Sequence, residues 1–105
     1  MNYQQLAISL KVLSDENRLE ILDILSCGEL CAYDLLSYFH FSQPTLSHHM
    51  KILVTHQFVT TRKEGNKRFY QLNDAFYTQI LNHLNLIKNN NEQCKCHSMK
   101  LGDSQ

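Results

Sequence analysis

Residues 34–53 constrain this chain more than any other stretch, because they divide into two short helical patterns separated by a three-residue turn. Leu35, Leu36 and Phe39 put apolar groups on one side of the first pattern, which breaks at His40 and Phe41. Ser42 stands where a helix N-cap belongs, and Pro44 is tolerated in the first turn that follows. With Leu46 taken as the inward reference at 3.6 residues per turn, Met50 and Leu53 fall on the same side and Ser47, His48, Lys51 and Thr55 fall opposite. Two helices across a tight turn, the second carrying a short, polar, positively tipped outer face, make a helix-turn-helix. Such a face suits the major groove, where hydroxyls, amides and imidazoles reach base edges and a lysine reaches phosphate.

The chain has 105 residues, 43% of them hydrophobic, enough for one small domain over residues 1–90 but too few for two. A helix-turn-helix usually needs positive charge nearby, yet ten basic and ten acidic residues cancel. Their placement resolves the conflict. Asp15, Glu16, Glu20, Asp23, Glu29 and Asp34 face only Arg18 in residues 14–34, whereas Lys51, Arg62, Lys63, Lys67 and Arg68 face only Glu64 in residues 41–73. The second group is an electrostatic footprint for a polyanion, against the alternative of a solvated basic face. No run of about 18 apolar residues or charged-then-apolar leader is seen, so neither a membrane span nor a signal peptide is expected, and the cytoplasm is the expected compartment.

Before the motif, Tyr3, Leu6, Ala7, Leu10 and Leu13 recur at helical spacing and predict a first helix with a narrow apolar stripe. Ser14 is the expected cap of a second helix in which Leu19, Ile21, Leu22, Ile24 and Leu25 are apolar over much of the surface, with Gly28 as its stop. After the motif, residues 58–63 and 67–72 are β-branched, aromatic and basic around Gly65-Asn66, which predicts a β-hairpin. Carrying Arg62, Lys63, Lys67 and Arg68, that hairpin reads as a wing for phosphate or minor-groove contact. Phe76, Tyr77, Ile80, Leu81, Leu84 and Ile87 define a last amphipathic helix from about residue 74 to 88. The first and last helices either pair with their twins across a two-fold axis, setting two recognition helices about 34 Å apart, or pack within one monomer. The fold class is therefore mainly α with a small β-hairpin, a winged helix-turn-helix. Residues 91–105 are polar and aperiodic, a tail expected to be flexible unless something binds Cys94 and Cys96.

Leu13-Ser-Asp-Glu-Asn-Arg-Leu-Glu-Ile-Leu22, Gly28-Glu-Leu-Cys31, Phe41-Ser-Gln-Pro-Thr-Leu-Ser-His-His-Met-Lys51 and Gly65-Asn-Lys-Arg-Phe-Tyr-Gln-Leu72 together resemble the ArsR/SmtB family of metal-responsive repressors, most closely its arsenical-resistance members. The resemblance implies a homodimer that sits on double-stranded operator DNA and leaves it when a metal or metalloid binds. It places Gln43, Thr45, Ser47, His48 and His49 on the base-reading helix and Arg62, Lys63, Lys67 and Arg68 on the wing. His49 has a second reading, since its angle lies near the Met50 and Leu53 side, where a buried, hydrogen-bonded imidazole is equally in keeping.

The sensor departs from that pattern. Arsenic-responsive members carry Cys-x-Cys at this point, and this chain has Cys31-Ala-Tyr33. Trivalent arsenic prefers three thiolates, and a phenol with a pKa near 10 is a poor substitute. Cys31, Cys94 and Cys96, from one subunit or two, could still supply a three-sulfur site for As(III) or a related soft metal or metalloid ion. Cys27 is a weaker candidate with an ordinary core thiol as its alternative. The Cys-x-Cys-His of the tail could also bind zinc or copper adventitiously, or nothing. The family's zinc site near the last helix lacks its histidine, because Asp74-Ala-Phe76 stands there and His83 alone cannot replace it.

Other functions remain to be separated. Cys31 could join Cys94 or Cys96 as a redox switch, or the regulator could have no sensor at all. The fold could instead serve as a protein-binding or metal-buffering module with an idle DNA face. An enzyme is not expected, since no phosphate-cradling loop, activated nucleophile or paired carboxylates are present.

Overall fold

The computed structural model describes residues 1–89. Helix α1 (Tyr3–Val12) is opened by a reciprocal cap, in which Asn2 Oδ1 accepts from Gln5 N–H and Gln5 Oε1 accepts from Asn2 N–H. Helix α2 (Glu16–Leu25) begins one residue later than its expected cap. Asp15, not Ser14, is the N-cap, because its carboxylate accepts from both Asn17 and Arg18 N–H, while the Ser14 hydroxyl turns back to Lys11 O at 2.7 Å. After α2 the chain reverses at Gly28, whose φ of +147° is a conformation that side-chain-bearing residues rarely adopt.

The expected two-stranded hairpin is a three-stranded antiparallel sheet in the order β1-β3-β2. Its added edge strand is β1 (Leu30–Cys31), pairing Leu30 with Tyr70 and Cys31 with Phe69 of β3 (Lys67–Leu72). Strand β2 (Val59–Glu64) pairs with β3 from Val59↔Leu72 to Glu64↔Lys67. Gly65, at φ +62°, takes the first of the two loop positions, where a II′ hairpin turn calls for glycine.

Helix α3 (Ala32–Leu36) is shorter than the spacing of Phe39 implied. The Ser37 hydroxyl donates to Asp34 O at 2.6 Å, and Ser37, Tyr38 and Phe39 N–H each bond three residues back, so the chain tightens and leaves the α-helix early. Phe39 and Phe41 then stack at 4.6 Å, filling the longer connection to α4 (Gln43–Thr55). Helix α4 ends in a Schellman turn, with Phe58 N–H on Leu53 O and Gln57 N–H on Val54 O, and Gln57 at φ +73°. Helix α5 (Asp74–Lys88) closes the described chain.

Ile21, Leu22 and Leu25 of α2, Leu35 of α3, Leu46, Met50 and Leu53 of α4, and Phe58 and Val59 form one core, as α2 was expected to do. The outer helices are only half used. Leu6 and Ile80 are buried, but Tyr3, Leu10, Leu81, Leu84 and Ile87 stay exposed. Of the α1 stripe read from spacing, Leu6 is buried and Leu13 packs against the core, while Tyr3, Ala7 and Leu10 are exposed; Val12, outside that stripe, is buried instead.

Candidate nucleic-acid interface

Helix α4 presents its polar side outward because Leu46, Met50 and Leu53, at 3%, 1% and 0% exposure, anchor the opposite side. Ser42 caps it, accepting from Thr45 N–H, and Ser42 Oγ lies 3.1 Å from Thr45 Oγ1. Gln43, Ser47, His48 and Lys51 are exposed and Thr45 is half-buried. The helix N-terminus and this face therefore stand free, while the wing rises beside them.

On the wing, the pairing Lys63↔Arg68 brings two cations together next to the turn, and Lys67 is opposite Glu64. Arg68 Nη1 donates to Thr61 Oγ1 at 3.2 Å, which steadies its stem without neutralising it. Arg62 is differently placed. Its guanidinium lies 4.4 Å above the Phe69 ring and bonds to Glu29 through two nitrogens and to Glu64 through the third. These hydrogen bonds and charges lower the Glu29 carboxyl's pKa and raise that of Arg62. Of the four wing cations expected to meet phosphate, Lys63, Lys67 and Arg68 have no carboxylate in salt-bridge contact among the described residues, whereas Arg62 has two.

His49 is 7% exposed, and its Nδ1 is 3.3 Å from Arg18 Nη1. Of its two expected roles, the buried imidazole describes it, and burial, the main cause, keeps its pKa below the ordinary 6.5. It sits behind the reading face, supporting it.

The recognition helix, α3 and the wing enclose a cleft of about 260 Å³, lined among others by Cys31, Tyr33, Gln43, Ser47, Lys67 and Arg68. Tyr33, met in the sequence only as a missing thiolate, is 82% exposed at its rim. Its helical register was visible beforehand, but its neighbours on the wing were not. Cys31 is 6% exposed and reaches this cleft, whereas Cys27 is exposed on the far side of Gly28 and is no core thiol. Cys94 and Cys96 lie outside the described residues. Among the described residues, no three His, Cys, Asp or Glu side chains gather as metal donors. Those residues bring one thiol to the cleft, so a three-sulfur site rests on the tail cysteines. Also among them, no helix is long and apolar enough to cross a membrane.

A free recognition helix beside a cationic wing defines a winged helix-turn-helix DNA-binding protein. Residues 15–61 match the family described as "Bacterial regulatory protein, arsR family". The chain is also similar to the arsenical resistance operon repressor of Staphylococcus aureus, with 60% identity over 103 residues spanning 98% of this chain and 99% of that one. The chain belongs to the arsR family, whose members are DNA-binding transcription regulators and not enzymes. A cadmium resistance transcriptional regulatory protein CadC homolog of S. aureus is 36% identical, covering 76% of this chain and 67% of that one. Among solved structures, an ArsR-like transcriptional regulator from Rhodococcus sp. RHA1 matches with a TM-score of 0.74 at 28% identity, covering 82% of this chain and 81% of that one.

Proposed function

We propose that the chain is a cytoplasmic, homodimeric repressor of an arsenical or metal resistance operon, released from its operator when As(III) or a similar soft ion binds thiolates of Cys31, Cys94 and Cys96. Gln43, Ser47 and His48 read base edges; Thr45, Lys51, Lys63, Lys67 and Arg68 hold phosphates. The exposed apolar faces of α1 and α5, with Leu10, Leu81, Leu84 and Ile87, supply the two-fold contact that sets two reading helices on adjacent turns.

The observation that carries this reading is the position of Cys31. It is the N-cap residue of α3, belongs to the strand paired with β3, and lines the cleft beneath Gln43 and Ser47. A soft ion that draws Cys31 toward further sulfur donors strains the support of the reading helix and the wing together. Tyr33 contributes no thiolate to that site.

Fluorescence anisotropy of a labelled palindromic operator from the chain's own promoter region tests the proposal, with arsenite added to the complex under reducing conditions. Arsenite should release the duplex, and Cys31→Ser should bind the operator but no longer release it. A Cys31→Ser protein that still leaves DNA in arsenite removes Cys31 from the site; a wild-type complex that ignores arsenite removes arsenic as inducer.

A further inference from the structure

Three elements meet at the side chain of Arg18, away from the DNA-facing surface. Arg18 stands in the first turn of α2 with 14% of its side chain exposed. Its Nε donates at 2.7 Å to the carbonyl of Val12, the last residue of α1, where helix carbonyls lack intrahelical donors. Its Nη1 lies 3.3 Å from His49 Nδ1 on α4 and 4.0 Å from Asp15 Oδ2. A guanidinium has only donors and keeps its proton, so this contact fixes the tautomer: Nδ1 accepts and the ring proton is on Nε2. Phe41 closes the other side of the imidazole at 5.7 Å between ring centroids.

We infer that Arg18 is a positioning residue for DNA binding, locking the recognition helix to the end of α1 through the neutral imidazole of His49, and that the lock opens when His49 takes up a proton. Protonation would turn a donor toward a donor and set two cations in contact. It would separate the helix that carries the outer apolar face from the helix that reads DNA.

The charged groups facing the ring are Asp15 and Arg18 on α2 and His48 on α4 itself. Burial disfavours the imidazolium most; Asp15 favours it, and Arg18 and His48 oppose it. The balance depresses the pKa below 6.5, so the imidazole is neutral and the lock complete at neutral pH. As pH falls below about 6.5 the undocked ring takes the proton more readily than the docked one, and the lock weakens progressively until the docked ring is itself protonated.

The test compares two proteins by operator anisotropy from about pH 7.5 to about 5.5. Both carry His48→Gln, which removes the exposed imidazole on the reading face from the titration. The protein with His49 intact should lose operator affinity severalfold over that range, with about tenfold as the limit set by one imidazole. Adding His49→Asn places an amide oxygen near the position of Nδ1 and leaves nothing to protonate at that position; its profile should be flatter than the parent's, starting within about threefold of it. Superimposable profiles overturn the inference, as does a folded His49→Asn protein that fails to bind operator at the upper pH. Arg18→Lys gives a second arm. One ammonium cannot reproduce the fork to Val12 O and His49, so affinity at the upper pH should fall about fivefold and its pH dependence should flatten. Unchanged affinity in a folded Arg18→Lys protein overturns the role of Arg18.

Discussion

Arg62 of β2 and Glu29, the residue before β1, meet fork to fork, with Nε to Oε2 at 2.9 Å and Nη2 to Oε1 at 2.8 Å. The pair clamps the wing to the segment that leads into Cys31. It also takes one cation out of the electrostatic footprint that the sequence alone assigns to the wing.

A salt titration of operator affinity separates these roles. Each phosphate contact contributes about 0.9 to the slope of log K against log salt, so Lys67→Ala and Arg68→Ala should each reduce the slope by about that amount. Arg62→Ala should leave it nearly unchanged. Glu29→Gln combined with Glu64→Gln should steepen it, because both carboxylates that hold Arg62 are then gone and its guanidinium can reach phosphate. Equal losses at Arg62, Lys67 and Arg68 would mean that Arg62 contacts phosphate in the complex despite its two carboxylates.

Tyr33 is the place to restore a second sulfur. Tyr33→Cys sets two thiols two residues apart at the start of α3, above the same cleft. Release from operator should then need about tenfold less arsenite, in keeping with the thiophilic character of the ion. The same midpoint in both proteins would show that position 33 lies outside the inducer site.

Gln57 carries the positive φ of the Schellman turn that ends the recognition helix. Glycine adopts that conformation freely, so Gln57→Gly should raise stability by about 0.5–1 kcal/mol, read as a higher urea midpoint at unchanged m-value. The Gln57 carbonyl still accepts from Asn73 Nδ2 after the change. A lower midpoint would show that the glutamine side chain supplies more than the backbone strain removes.

The recognition helix was legible because one chemical rule governs it: Leu46, Met50 and Leu53 recur at the helical period and are buried, while Ser47, His48 and Lys51 are not. The cap of α2 is ambiguous in the sequence by one residue, because Ser14 and Asp15 are both good caps and only geometry shows which oxygen meets two N–H groups. Strand β1 leaves no mark in the sequence, since two residues have no periodicity to read. The contacts Glu29–Arg62 and Arg18–His49 join residues 33 and 31 positions apart, so no local pattern announces them. The spacing did place His49 near the inner side, and what it lacked was the guanidinium that meets it.

Strand β1 has a consequence for the timing of any signal. Among the described residues it is a two-residue edge strand with β3 as its one neighbour, so few backbone bonds hold it, while the core beneath is fixed by Leu35, Leu46 and Met50. Such an edge opens far more often than the whole domain unfolds. The Cys31 thiol, shielded at rest, becomes reachable during those brief openings. On the sensing role proposed for Cys31, its capture rate by a soft electrophile would be governed by how often the edge lifts, and a ligand that pins the wing would slow its own eviction.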